Sequence, residues 1–124
     1  MKKPSFWDKL NPESKEQITF LDWLSLQHPT IRPYIFHIPN ERKAKKISGY
    51  ILKLMGVMPG VSDLFLAWPT GKYHGLFIEM KSGKGKLSES QKEFMAKMNK
   101  KDYLAQVCYS WEEAMKLITA YLNT

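Results

Sequence analysis

An α/β fold is the class this sequence predicts: a central mixed β-sheet flanked by helices, in the order α-β-α-β-β-α-β-α. Three observations carry it. Segments with apolar residues at helical spacing alternate along the chain with short runs rich in Val, Ile, Phe and Tyr. Two stretches, Ser88-Glu89-Ser90-Gln91 and Ser110-Trp111-Glu112-Glu113, carry the capping-box pattern that opens a helix. Two neighbouring strands are apolar on both faces, as expected inside a sheet covered on both sides. The chain has 124 residues, enough for one domain with a real core and too few for two, so we read residues 1–124 as a single domain.

The elements follow in order. Asn11 is placed to cap a first helix with Pro12 at its first position, running to about Gln27 before His28-Pro29 stops it. Phe20, Trp23 and Leu24 form its apolar stripe, and Glu16 lies one turn before Phe20 on the same face. Tyr34–Ile38 is a short strand between prolines, placed near a sheet edge. Ala44–Met55 reads as a second helix with Ile47, Ile51, Leu54 and Met55 inward, ended by Gly56. Val61–Trp68 and Gly75–Lys81 are strands joined through Pro69-Thr70-Gly71-Lys72. Ser88 opens a third helix, Tyr103–Tyr109 is a strand, and Ser110 opens the last helix. That helix has the stripe Ala114, Leu117, Ile118, Tyr121 and Leu122.

Composition excludes several classes. No apolar run approaches the roughly 18 residues a membrane span needs, and the first ten residues contain no apolar signal core. Cys108 is the single cysteine, which rules out an internal disulfide and a cysteine metal cluster and fits a reducing cytoplasm. Nineteen basic residues against twelve acidic ones give a net charge of +7, and the excess is uneven. Between Arg42 and Ser88 stand Arg42, Lys43, Lys45, Lys46, Lys53, Lys72, Lys81, Lys84 and Lys86, against only Asp63 and Glu79. Such a surface attracts polyphosphate through its potential and through counterion release. Arg42, Lys43, Lys45 and Lys46 are candidate DNA contacts, and Lys84 and Lys86, which alternate with Gly83 and Gly85, suit close approach to a phosphate backbone.

The two isolated acids are the chemical question. If the hairpin turn centres on Gly71, Asp63 falls opposite Glu79, and directly opposed Cβ atoms lie roughly 4.5–5.5 Å apart. Lys81, two residues on, returns to the same face. Two opposed carboxylates in an apolar setting need a shared proton or a bound cation. All-oxygen ligation suits Mg²⁺, which accepts one or two carboxylates together with substrate phosphate oxygens. A nearby lysine could orient or deprotonate an attacking water. The plainer alternative makes Asp63 a loop cap and Glu79–Lys81 a strand-end ion pair.

These residues resemble a known family. Gly56-Val57-Met58-Pro59-Gly60-Val61-Ser62-Asp63-Leu64, then Phe77-Ile78-Glu79-Met80-Lys81, then Leu87-Ser88-Glu89-Ser90-Gln91, is similar to the virus-type replication-repair nuclease domain, VRR-NUC, of the PD-(D/E)xK nuclease superfamily. The resemblance spans roughly Glu13 to Leu122 and implies a stand-alone domain with a restriction-endonuclease-like core. It also implies hydrolysis of DNA phosphodiesters with Mg²⁺ or Mn²⁺. Carried over, Asp63 and Glu79 would be metal ligands, Met80 would offer its backbone carbonyl, and Lys81 would be the catalytic lysine. Gln91 matches the glutamine of the helix after the motif, and Glu16 matches the acidic residue of the first helix, with Glu13 close by. One departure stands out: the family's usual Pro-Asp is here Ser62-Asp63, with Pro59 displaced upstream. Stand-alone members look like dimeric Holliday-junction resolvases, which implies a homodimer acting on four-way or branched DNA in replication, repair or recombination. The implied setting is the cytoplasm of a bacterial or phage-infected cell.

The remaining features add little chemistry. His28, His37 and His74 share no metal-ligand spacing and read as ordinary surface or partly buried histidines. Trp23, Trp68 and Trp111 read as packing residues, and Cys108 as an inert core thiol. Two rival readings accompany the nuclease: a non-enzymatic basic DNA-binding protein and, more remotely, an RNA nuclease.

Overall fold

A computed structural model describes residues 2–39 and 48–124. Helix α1 spans Pro12–Gln27, strand β1 Ile35–His37, helix α2 Gly49–Leu54, strand β2 Leu64–Leu66 and strand β3 Leu76–Met80. Helix α3 (Glu89–Lys100), strand β4 (Leu104–Cys108) and helix α4 (Trp111–Leu122) complete the expected order. Short 3₁₀ turns at Trp7–Lys9 and Arg32–Tyr34 precede α1 and β1.

Local chemistry accounts for the helix starts. The Asn11 carboxamide accepts from the Ser14 N–H at 2.8 Å, with Pro12 just inside α1. Ser48 and Ser110 cap α2 and α4 through their hydroxyls, and Ser88 and Gln91 form a complete capping box at α3.

Among the described residues the strands lie in the order β1-β2-β3-β4, with β1–β2 and β2–β3 antiparallel and β3–β4 parallel. The parallel step requires a crossover, which α3 supplies. Strand β1 sits at an edge, as its flanking prolines predict. Leu64 pairs with Ile78, Phe65 with Phe77 and Leu66 with Leu76, the register expected for a turn centred on Gly71.

One face of the sheet is buried under α1 and α4. Leu64, Leu66, Leu76 and Ile78 pack there with Phe20, Leu24, Ala114 and Ile118, all fully removed from solvent. Each large side chain of this kind contributes roughly 1.5–3 kcal/mol. The other face carries Phe65 and Phe77, with ring centroids 4.4 Å apart, and Phe94 of α3 meets Phe77 edge-on at 5.1 Å. Trp23, Trp68 and Trp111 flank the core as packing residues. Cys108 is buried, and desolvation pushes its thiol up to about 12, so it is inert as a nucleophile.

The strands are shorter than expected, most of all β2, which is Leu64–Leu66 where Val61–Trp68 was expected, and two further differences have a local cause. Arg32–Tyr34 closes a 3₁₀ turn around Pro33, so β1 begins at Ile35 instead of Tyr34. Helix α2 is six residues long, and its expected start lies outside the described residues. Ile51, Leu54 and Met55 do not face inward: they are 46%, 68% and 69% exposed. Helical spacing reports a stripe, but a helix this short contributes no layer of its own, and the stripe points to solvent.

Candidate active site

The site forms where β2 begins and β3 ends, beside the N-termini of α1 and α3. The approach to it is set by Gly60, whose φ of +87° is open to glycine and strained for any residue with a Cβ. A Cβ there would also overlap the Ser90 carbonyl and lie 2.8 Å from the Gln91 nitrogen. Backbone therefore packs directly on backbone, holding the segment before Asp63 against the start of α3. Ser62 follows, fully buried, its hydroxyl without a hydrogen-bond partner among the described residues.

Asp63 stands one step before Leu64, which places it opposite Glu79 on the observed register. Its carboxylate accepts from the Met80 N–H at 2.7 Å, and its carbonyl accepts from the Ile38 N–H at 2.8 Å. Glu79 is 4% exposed, and its carboxylate accepts from the Gln91 side-chain amide at 3.2 Å. The orientation of that amide follows from the capping box. Gln91 Oε1 accepts from the Ser88 N–H at 2.8 Å, so Nε2 is the half left to donate to Glu79. One side chain thus caps α3 and holds an acid of the site.

The acids crowd one another. Burial, then the charge of Asp63 and a hydrogen bond shared with it, push the Glu79 carboxyl up to about 8, while Lys81 pulls it down and Glu13 adds a further upward push. Buried carboxyl oxygens pressed together in this way are donors of the kind that suit a hard divalent ion.

Comparison with known proteins gives the family. The VRR-NUC domain family matches residues 4–112. This chain belongs to the VRR-NUC family. A solved structure described as a VRR_NUC domain protein shares 29% identity with it, covering 90% of this chain and 88% of that one with a TM-score of 0.78. No curated protein matches the chain. Membership places it among nuclease domains, on the α/β core the family resemblance implied.

Within the VRR-NUC frame, the sequence-derived residues fall into three groups. Asp63, Glu79, Met80, Lys81 and Gln91 come together at the strand ends. Lys81 lies one residue past β3, its N–H bonded to the Cys108 carbonyl at 2.9 Å. The loop after it is a tight turn, with Gly85 N–H bonded to the Ser82 carbonyl at 2.9 Å and Gly83 at φ +53°. It folds back so that Gly85 faces the Lys81 stem, leaving Lys84 and Lys86 exposed. The strand-end ion pair is not what forms: among the described residues, the ion pair within 4 Å joins Lys92 and Glu89. Arg42, Lys43, Lys45 and Lys46 lie outside the described residues.

Glu16 does not join the site, and its expected place there needs correcting. Its carboxylate accepts from the Trp111 N–H at 2.9 Å, serving the start of α4. It lines a separate cavity with Lys3, Trp7, Lys15 and Asp22. Glu13 instead lines the cleft of about 350 Å³ that holds Asp63, Met80, His37 and Gln17. The signal was present in the spacing. At about 100° per residue, Glu13 lies within about 20° of Phe20 around the helix, whereas Glu16 lies about 40° off on the other side. The buried line Leu24–Phe20, extended backwards, passes Gln17 and reaches Glu13. The described residues contain no cluster of three His, Cys, Asp or Glu side chains arranged to hold a metal.

Glu79 makes the stability of the cation-free protein depend on pH in a defined direction. Its folded value near 8 exceeds the ordinary 4.5, so between these limits the folded state holds a proton the unfolded state has lost. Stability contributed by the protonated carboxyl is therefore complete below about 4.5 and is lost as pH rises to about 8. The wild type should lose on the order of a few kcal/mol more than Glu79→Gln across that window. Thermal melts in EDTA at several pH values measure this, and equal slopes in the two proteins would show that Glu79 keeps its charge.

Proposed function

We propose that this VRR-NUC chain is a metal-dependent, structure-selective DNA endonuclease. The observation that carries the reading is the buried Glu79 carboxyl pressed against Asp63 at the mouth of a basic loop. Asp63, Glu79 and the Met80 carbonyl would hold Mg²⁺ or Mn²⁺, with Glu13 the nearest further carboxylate. The ion, when bound, neutralises charge that develops on the phosphate and lowers the pKa of a coordinated water.

The chain's own residues do the rest. Gln91 fixes the Glu79 carboxylate through Nε2, and Met80 N–H fixes that of Asp63. Lys81 orients the attacking water or takes its proton as the water oxygen bonds to phosphorus and the ester oxygen leaves. Lys84 and Lys86 meet the phosphate backbone, as their exposure beside Gly83 and Gly85 allows. Labelled four-way, flap and duplex DNA incubated with Mg²⁺, Mn²⁺ or EDTA tests the reading. Metal-dependent cuts in branched DNA support it. Salt-sensitive binding without hydrolysis under any metal would favour the non-enzymatic alternative, and RNA strands in the same assay test the third.

The same reading includes a homodimer, because symmetric junction cleavage needs two sites facing opposite strands. Tyr50, Ile51, Leu54, Met55, Val57 and Met58 are 46–72% exposed within nine residues. Together they offer on the order of 700 Å², close to the roughly 800 Å² per partner that a standard interface buries. The proposed occupant is a second copy of this chain. Leu54→Asp should shift the protein to monomer in light scattering while leaving its melting temperature within a few degrees. An unchanged mass would remove this surface from consideration. Among the described residues no helix is long and apolar enough to cross a membrane.

A further inference from the structure

We propose that His37 is a positioning residue for Asp63, acting on the candidate metal ligand through its backbone. Asp63 is gripped from both neighbouring strands. From β3, the Met80 N–H meets its carboxylate at 2.7 Å. From β1, two donors converge on its carbonyl: the Ile38 N–H at 2.8 Å and the His37 ring Nδ1 at 2.9 Å. A carbonyl oxygen can only accept, so His37 carries its proton on Nδ1, and in the neutral ring Nε2 is bare. The Gln17 side-chain amide, one helical turn along from Glu13, stands 3.3 Å from the same Nδ1, and with the proton on Nδ1 it is the amide oxygen that must face the ring there. His37, Gln17, Glu13 and Asp63 all line one cleft.

The ring is not there to fill the core. His37 is exposed at the end of an edge strand, where its packing adds little, while its hydrogen bond reaches the residue on which the site turns. Asp63 needs that support. It lies just outside β2, after a buried serine whose hydroxyl has no partner among the described residues, and its backbone is tied toward β1 by the bond from Ile38. Groups that orient a metal ligand without touching the metal typically govern about 10–100-fold in affinity. This inference rests on Asp63 being a cation ligand, but the clamp can be measured without that.

The test uses the full chain. Nitrogen-15 shifts of the His37 ring in metal-free protein should report the Nδ1–H tautomer. Calorimetric titration with Mn²⁺ should show about 10–100-fold weaker binding for His37→Ala, and junction cleavage should lose kcat with KM for DNA unchanged. His37→Asn should recover most of both losses, because its amide nitrogen falls where Nδ1 stood; His37→Gln, whose amide nitrogen falls nearer Nε2, should not. Melting temperatures confirm that each variant is folded, and the Asn and Gln pair decides the matter if the alanine variant is not. The inference is overturned by an Nε2–H tautomer, by wild-type Mn²⁺ affinity in His37→Ala, or by rescue with Gln in place of Asn. A wild type that binds no Mn²⁺ overturns the nuclease reading instead, and the tautomer measurement then still decides the clamp.

Discussion

Lys81→Ala is expected to lower metal-dependent DNA cleavage by about 10²–10⁴-fold, the usual range for losing a positioned acid–base group. Lys81 sits one residue beyond a central strand, with its N–H locked to Cys108 and its stem against Gly85, so the ammonium starts from a fixed base. Alanine leaves those backbone bonds intact, and DNA affinity should change little because Lys84 and Lys86 remain. Asp63→Ala should abolish cleavage through a different route. It strips a carboxylate from the pair and frees the Met80 N–H, so Mn²⁺ affinity should fall together with rate. Burial still pushes Glu79 up in this variant, but the added push from the Asp63 charge and hydrogen bond is gone, so the pH dependence of stability should become shallower. Gel assays on labelled junctions, beside calorimetry, separate the two effects. Cleavage that survives both substitutions would falsify the assigned chemistry.

Gly60→Ala is expected to be the most damaging single-methyl change in the protein, costing upwards of about 3 kcal/mol of a total that is typically 5–15. Two costs coincide: a φ of +87° that a Cβ disfavours, and a methyl driven into the Ser90 carbonyl at the start of α3. The obstruction is backbone, so no rotamer change relieves it. Moving α3 away would break the capping box and pull Gln91 off Glu79, coupling a packing defect to the site. Gly56→Ala is the control: its φ is +99°, but a Cβ there meets nothing within 4 Å, so it bears the conformational cost alone. Chemical denaturation of the two variants should therefore show a clearly larger loss at Gly60. Equal losses would mean that the close approach to Ser90 yields easily.

Much of this was legible in the sequence because it depends on neighbours along the chain. Capping at Asn11, Ser88 and Ser110 is decided within four residues, and all three caps form. The hairpin register depends on one turn, and centring it on Gly71 put Asp63 opposite Glu79. The order of elements and the edge position of β1 followed from periodicity and proline. Helix α2 failed for an equally physical reason. A stripe of Ile51, Leu54 and Met55 is the same text whether it faces a core or water, and only the presence of an opposing layer tells them apart.

By itself, then, the sequence determined the elements, the hairpin and the short set Asp63, Glu79 and Lys81, since each is written in local spacing and charge. Tertiary structure decided which acid of α1 shares a cleft with Asp63, because a helix's azimuth against the sheet is settled by the whole core. That is why Glu16 turns to the start of α4 and Glu13 to the cleft. It also decided that Gln91 serves cap and site at once, and that His37, twenty-six residues before Asp63, reaches its carbonyl. Hydrogen bonds between residues so far apart depend on distances below 3.3 Å, and only the packed chain sets those.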